Sequence, residues 1–215
     1  MRIELLTLFA AISAACAIIF SLKKNIKLYS IFKPLTTILI IIMGLIIFQE
    51  QGSDYSKIML VALVFSLVGD VFLITNKHFL EGMSFFFIAQ IFFILSFASI
   101  FGFSWNIILL ALFLMLGWAY YYFLKKDLNK YSIPVFLYST VISLMSWQAA
   151  SLVVISREFT YIAIAIASLL FLLSDAIIAY TFFRKDFKAS NVFILSTYWL
   201  AIYTFALAGL YLGPI

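Results

Sequence analysis

Eight long apolar runs, separated by short polar connections, leave few folds open to this chain. Each lasts roughly 20 residues, enough for a helix to cross the ~30 Å hydrocarbon core of a bilayer at 1.5 Å per residue. A membrane barrel would instead show segments of ~10 residues with alternating polarity. The runs are read at about 3–21, 31–49, 57–75, 79–101, 105–124, 132–155, 160–182 and 191–212. Most connections contain helix breakers: Lys23-Lys24-Asn25, Gln51-Gly52-Ser53-Asp54, Asn76-Lys77, Asp127-Leu128-Asn129 and Arg184-Lys185-Asp186. Spans four and five are parted only by Phe101-Gly102-Phe103-Ser104, so seven spans is the alternative count.

Composition identifies the solvent. Of 215 residues, 66% are hydrophobic and 11% charged, with mean hydropathy +1.17. A soluble domain carries roughly 25% charged residues, and so little charge cannot cover a water-facing surface. The expected fold is an all-α polytopic membrane helix bundle, a single transmembrane domain over 1–215. At the N-terminus, Arg2 precedes an apolar stretch and Ala14-Ala15-Cys16 is faintly like a lipoprotein cleavage site. Ser13 stands where leucine is usual and the run continues to Phe20, so a retained first helix is expected.

The net charge of +5 reflects orientation, not nucleic-acid binding. Lys23, Lys24, Lys27, Lys33, Lys77, Lys125, Lys126, Lys130, Arg184, Lys185 and Lys188 are read into the connections after spans one, three, five and seven. The opposite side keeps only Arg2, Lys57 and Arg157. The positive-inside rule puts the basic side in the cytoplasm and both termini outside, in a multi-pass protein expected in a bacterial inner membrane. One cysteine, Cys16, precludes an internal disulfide, and one histidine, His78, precludes a multi-histidine zinc site within one chain.

Nine acidic residues remain to be placed. Glu4, Glu50, Asp54, Asp127, Glu158 and Asp186 fall at ends or in loops, where they read as solvated charges. Glu81 opens span four, where a carboxylate complements the helix dipole. Asp70 and Asp175 differ: each lies inside an apolar run, about five to seven residues before its cytoplasmic end. An aspartate at a membrane-helix centre costs ~2.5–3.5 kcal/mol on insertion scales. Asn or Gln could tie helices together without an ionisation problem, so two carboxylates at matched depth point to function. If they face each other they cannot both ionise easily; one keeps a proton, and the pair offers an acid and a base. Such a pair needs no metal, histidine, thiol or other cofactor. Lys33 at the head of span two could snorkel to lipid phosphate or bind a substrate phosphate. Ser174, Tyr138, Gln90, Gln148 and Tyr198 lie within spans. Ser174, Tyr138, Gln90 and Tyr198, with Lys33, are the candidate substrate-binding residues.

There is an internal echo. Val64-Phe65-Ser66-Leu67-Val68-Gly69-Asp70 is like Leu170-Phe171-Leu172-Leu173-Ser174-Asp175, about half the chain away. Two four-helix repeats would produce it.

At these residues the sequence resembles the YhhN family of membrane proteins, whose animal members include lysoplasmalogenases. The likeness runs through Lys33-Pro34-Leu35-Thr36, Phe65 to Asp70 with Phe72-Leu73, and Phe79 with Gly82 and Phe86. It continues through Tyr138 with Met145 and Ala149, Phe171 to Asp175, and Thr197-Tyr198. Gln90 stands where the family usually shows histidine, and Ala201-Ile202 where an Ala-Gln pair is common. Those departures imply a shifted substrate or weaker activity if the missing side chains act on the substrate. The resemblance implies hydrolysis of the vinyl ether bond of lysoplasmalogens to a fatty aldehyde and glycerophospho-ethanolamine or -choline. The resemblance further implies a lipid substrate taken from the bilayer, with Asp70 and Asp175 expected as the catalytic pair. Two other readings use the same carboxylates. An intramembrane aspartyl protease of presenilin type wants Gly-x-Gly-Asp, but position 67 is Leu67, and no Pro-Ala-Leu follows. A proton- or cation-coupled transporter with repeated halves would also bury two acids.

Overall fold

Backbone groups in a bilayer must find their partners within the chain, and helices do this locally. The computed structural model, which describes residues 2–213, answers each apolar run with a helix. These are α1 (Arg2–Leu22), α2 (Ile26–Gln51), α3 (Asp54–Phe72), α4 (Phe79–Phe101), α5 (Ile107–Leu124), α6 (Ser132–Ile155), α7 (Phe159–Phe183) and α8 (Ser190–Ala208). All eight are long and apolar enough to span a membrane, and no strand occurs among the described residues. The short junction at Phe101–Ser104 is a true break. Gly102 takes φ 82°, and Gln148 holds the turn, donating from Nε2 to the Gly102 carbonyl (2.9 Å) and accepting from the Ser104 amide (3.1 Å).

Of the helix starts, those of α2 and α3 differ most from the sequence reading, each because a side-chain cap lengthens the helix at its N-terminus. Asn25 accepts from the Leu28 amide, so α2 begins at Ile26 and runs through Pro34. Ser53 accepts from the Ser56 amide, so α3 begins at Asp54, and it ends at Phe72. The first correction moves Lys27 and Lys33 out of the connection and into α2. The second places Asp70 two residues from the end of α3, whereas Asp175 lies eight before the end of α7; the matched depth expected from the runs is not reproduced in helix position.

Helix neighbours in the first half recur in the second. α1–α2, α2–α3 and α3–α4 pack in sequence, as do α5–α6, α6–α7 and α7–α8. The halves are joined reciprocally: α4 packs on α6, and α8 packs on α2. This is the arrangement expected of two four-helix repeats. A column of rings fills the space between α4, α7 and α8, with Phe93 5.6 Å from Phe171 and 5.1 Å from Phe205, centroid to centroid. The outer faces carry large apolar side chains such as Leu5, Ile108 and Phe159 that would be untenable in water but match lipid.

α5 rests chiefly on α6, and of its residues only Phe113 and Leu124 are buried. Gly117 sets that crossing: a Cβ there would lie 2.1 Å from Ser143 Oγ and 3.0 Å from the Ser139 carbonyl oxygen. Leucine is a good helix former, so Gly117→Leu tests packing without a helix penalty. The variant is expected to lose about 1–3 kcal/mol by overpacking, read as a lowered thermal midpoint in detergent; an unchanged midpoint would show that α5 moves aside freely.

Candidate active site

Asp70 and Asp175 line one cavity of about 220 Å³. Its deeper wall also includes Lys33, Phe86 and Tyr198; its mouth includes Tyr29, Asp186, Ser190 and Asn191. Tyr29 lies in the first turn of α2, while the other three sit before or at the start of α8. The cavity therefore opens at the end of the bundle that carries the basic connections after α1 and α7.

Each carboxylate is held by the helix before its own and by the last helix of the other half. Asp70 on α3 accepts at Oδ2 from Thr37 Oγ1 of α2 (2.6 Å) and from Tyr198 Oη of α8 (2.9 Å). Asp175 on α7 accepts at Oδ2 from Tyr138 Oη of α6 and from Gln90 Nε2 of α4 (3.2 Å). The crossed packing of α4 on α6 and α8 on α2 thus builds two similar carboxylate cradles.

The cradles are not equal. Lys33 Nζ lies 3.5 Å from Asp70 Oδ1, and both side chains are buried, at 6% and 2% exposure. Among the described residues no cation pairs with Asp175, whose partners are the neutral Tyr138 and Gln90. Asp175 is half-buried, turned partly to open cavity.

Packing explains why these side chains point inward. Gly69 lets α3 approach α4 beside Asp70: a Cβ at Gly69 would sit 2.6 Å from the Phe86 ring. Phe86 and Phe171 meet the Tyr198 ring edge to face, each at 5.7 Å, and so aim its hydroxyl at Asp70. Trp199 donates to Thr37 Oγ1 at 3.3 Å, leaving the Thr37 proton for Asp70.

The structure therefore brings together Asp70, Asp175, Lys33, Tyr138, Gln90 and Tyr198. Lys33 does not snorkel: it is 5% exposed and turned to Asp70, because an ion pair inside the bundle replaces the water it would otherwise seek. Ser174 is not part of the group. It is buried and donates to the Ile194 carbonyl, tying α7 to α8, and it does not line the cavity. The sequence reading misses Thr37 and Trp199. The signal for Thr37 is its position four residues after Lys33, on the same helix face; neighbouring Thr36 instead bonds Ser13 and the Phe32 carbonyl. Gln90, where the family pattern has histidine, stands directly against Asp175, whereas Ile202 is buried in the apolar core. His78 and Glu81 pair with each other at 3.3 Å on the exposed surface, away from the cavity lining.

A family model described as the YhhN family matches residues 28–209, most of the chain. No curated protein and no solved structure matches it.

Proposed function

The chain belongs to the YhhN family, and on that premise we propose that it hydrolyses the vinyl ether bond of lysoplasmalogens. The observation that carries this reading is the inequality of two otherwise similar carboxylate cradles: Lys33 serves one and, among the described residues, no cation serves the other. A buried carboxylate with an ammonium beside it and two hydroxyl donors on one oxygen is supported as the anion. A half-buried carboxyl with only neutral partners is supported as the acid, because no fixed positive charge offsets the cost of ionising it away from bulk water. Asp175 is accordingly the proton donor and Asp70 the base.

The chemistry needs that division. Asp175 gives its proton to the outer vinylic carbon of the substrate, whose double-bond electrons form the new C–H bond. The carbon attached to the ether oxygen becomes an oxocarbenium ion, stabilised by the Asp70 carboxylate. Water adds to that carbon and loses a proton to Asp70, giving a hemiacetal. The hemiacetal hydroxyl returns a proton to Asp175 as the carbon–oxygen bond to glycerol breaks, and Asp70 protonates the departing alkoxide. Both carboxyls regain their starting states, and the sum is one water consumed, one aldehyde and one glycerophospho-alcohol released. Paired carboxylates divide the work similarly in glycosidases. Thr37, Tyr198 and Lys33 hold Asp70, while Tyr138 and Gln90 hold Asp175. With the basic connections in the cytoplasm, the lipid is drawn from the cytoplasmic leaflet.

Purified protein incubated with vinyl-ether and ester-linked lysophospholipids should release aldehyde from the first alone, read by mass spectrometry. In D2O the aldehyde, trapped by reduction, should carry one deuterium on its second carbon. Release of fatty acid from the ester series, or no turnover of any vinyl ether, would discard the reading.

A further inference from the structure

A second, narrower cleft adjoins the cavity at Asp175. It holds about 40 Å³ between α4, α6 and α7, and shares Leu73, Phe79, Phe86, Asp175 and Ile178 with the main cavity. Its own additional wall is Met83, Val135, Ala179 and Phe183, all apolar, together with Tyr138, whose hydroxyl is turned to Asp175. Asp70 and Lys33 line the main cavity only. One carboxyl thus stands at the junction of a mixed cavity, which carries all the charged groups, and an almost wholly apolar cleft, while the other belongs to the mixed cavity alone.

A substrate that is polar on one side of the bond to be broken and hydrocarbon on the other fits this division in one direction. We infer that the hydrocarbon chain leaves the reaction centre through the α4–α6–α7 cleft, its first carbons held by Met83, Val135, Ala179 and Phe183, while the glycerophospho half occupies the main cavity. This rests on the vinyl ether reading above and gives it an orientation. The outer vinylic carbon, which continues into the chain, meets Asp175; the ether carbon and oxygen lie toward Asp70. That order agrees with the roles assigned from the Lys33 pair, although it derives from the shapes and polarities of the spaces, not from charge. The cleft is short, so it senses the first few carbons and leaves the remainder of the chain to lipid.

A larger apolar groove of about 400 Å³ runs between α1, α2 and α8, lined by Ala10, Ala14, Ile40 and Trp199 among others. It shares no lining residue with the main cavity. A chain seated there would leave its head-proximal bond away from both carboxylates.

The test is photolabelling of the full protein in nanodiscs with a saturated alkyl-ether lysophospholipid bearing a diazirine on its fourth chain carbon, mapped by peptide mass spectrometry. The expected label falls on Met83, Val135, Ala179 or Phe183, is competed by excess unlabelled lipid, and drops at least ~5-fold in Val135→Phe, which fills the cleft. Should that variant fail to fold, the position and competition of the wild-type label decide alone. Label on the α1–α8 groove, or label that excess lipid does not compete, overturns the inference. The probe is not hydrolysed, so the two readings fail separately. Cleft labelling in a protein that cleaves no vinyl ether would remove the proposed reaction and keep the chain path; turnover with label elsewhere would do the reverse.

Discussion

Asp175→Asn is expected to lower aldehyde release by about 10²–10⁴-fold, the usual contribution of a positioned general acid, while the protein keeps its wild-type thermal midpoint in detergent. The substitution preserves shape. Its amide oxygen can still accept from Tyr138 and Gln90, the two donors that hold Asp175 Oδ2. No buried ion is left without a partner, since no cation among the described residues pairs with this side chain. What disappears is the proton. Asp70→Asn should abolish turnover as well but with a different stability outcome, because it strands Lys33, whose side chain is 6% exposed. Activity assays and melting curves on both variants separate the two roles. Equal loss of stability in both, or appreciable turnover in Asp175→Asn, would contradict the assignment.

Lys33→Met is the second large effect. Methionine keeps most of the stem and removes the ammonium that lies 3.5 Å from Asp70. Breaking a buried ion pair from one side typically costs about 3–5 kcal/mol, because the remaining charge is uncompensated. Asp70 can escape that cost only by taking up a proton, and a protonated Asp70 cannot accept one from water. The variant should therefore be both less stable and close to inactive. The double variant Lys33→Met/Asp70→Asn removes the stranded charge. It is expected to recover most of the stability without any turnover, since replacing both members of a buried pair by neutral groups is often nearly neutral. A Lys33→Met protein with normal turnover would show that Asp70 needs no counter-charge. A double variant as unstable as the single one would show that Lys33 acts through packing.

The stability contrast and the activity contrast use different physical quantities. Stability follows whether each buried charge has its partner; activity follows whether each carboxyl is in the protonation state its step requires. Asp175→Asn changes the second without the first, and the double variant restores the first without the second. That separation distinguishes catalytic carboxyls from a pair that merely ties helices together.

Much of this architecture is written locally in the chain. Helical periodicity is not needed to find a span such as Ile107–Leu124, because uninterrupted apolarity over that length has only one stable form in lipid. The Gly52 and Gly102 breaks mark where α2 and α4 stop, and both take positive φ. Asp70 and Asp175 stand out because a carboxylate inside an apolar run carries an insertion cost. Lys33 is legible as an unusual residue, yet its partner is not: it stands 37 positions before Asp70, on a different helix, and nothing local joins the two. Ser174 occupies the same place beside its Asp as Gly69 does, but its hydroxyl turns to the Ile194 carbonyl.

The amino-acid order alone determined the solvent and the two acids within the spans, because each follows from the transfer cost of residues that are neighbours in the chain; the break at Gly102 that makes the spans eight was settled by the Gln148 contacts of the folded chain. Only the tertiary structure decided that α8 meets Asp70 and α4 meets Asp175, and that Lys33 makes the two carboxyls unequal. The reason is that helices in lipid are apolar on their inner and outer faces alike. Their sequence pattern does not say which face turns inward, and the partners of a buried charge are fixed by the rotation and crossing of whole helices.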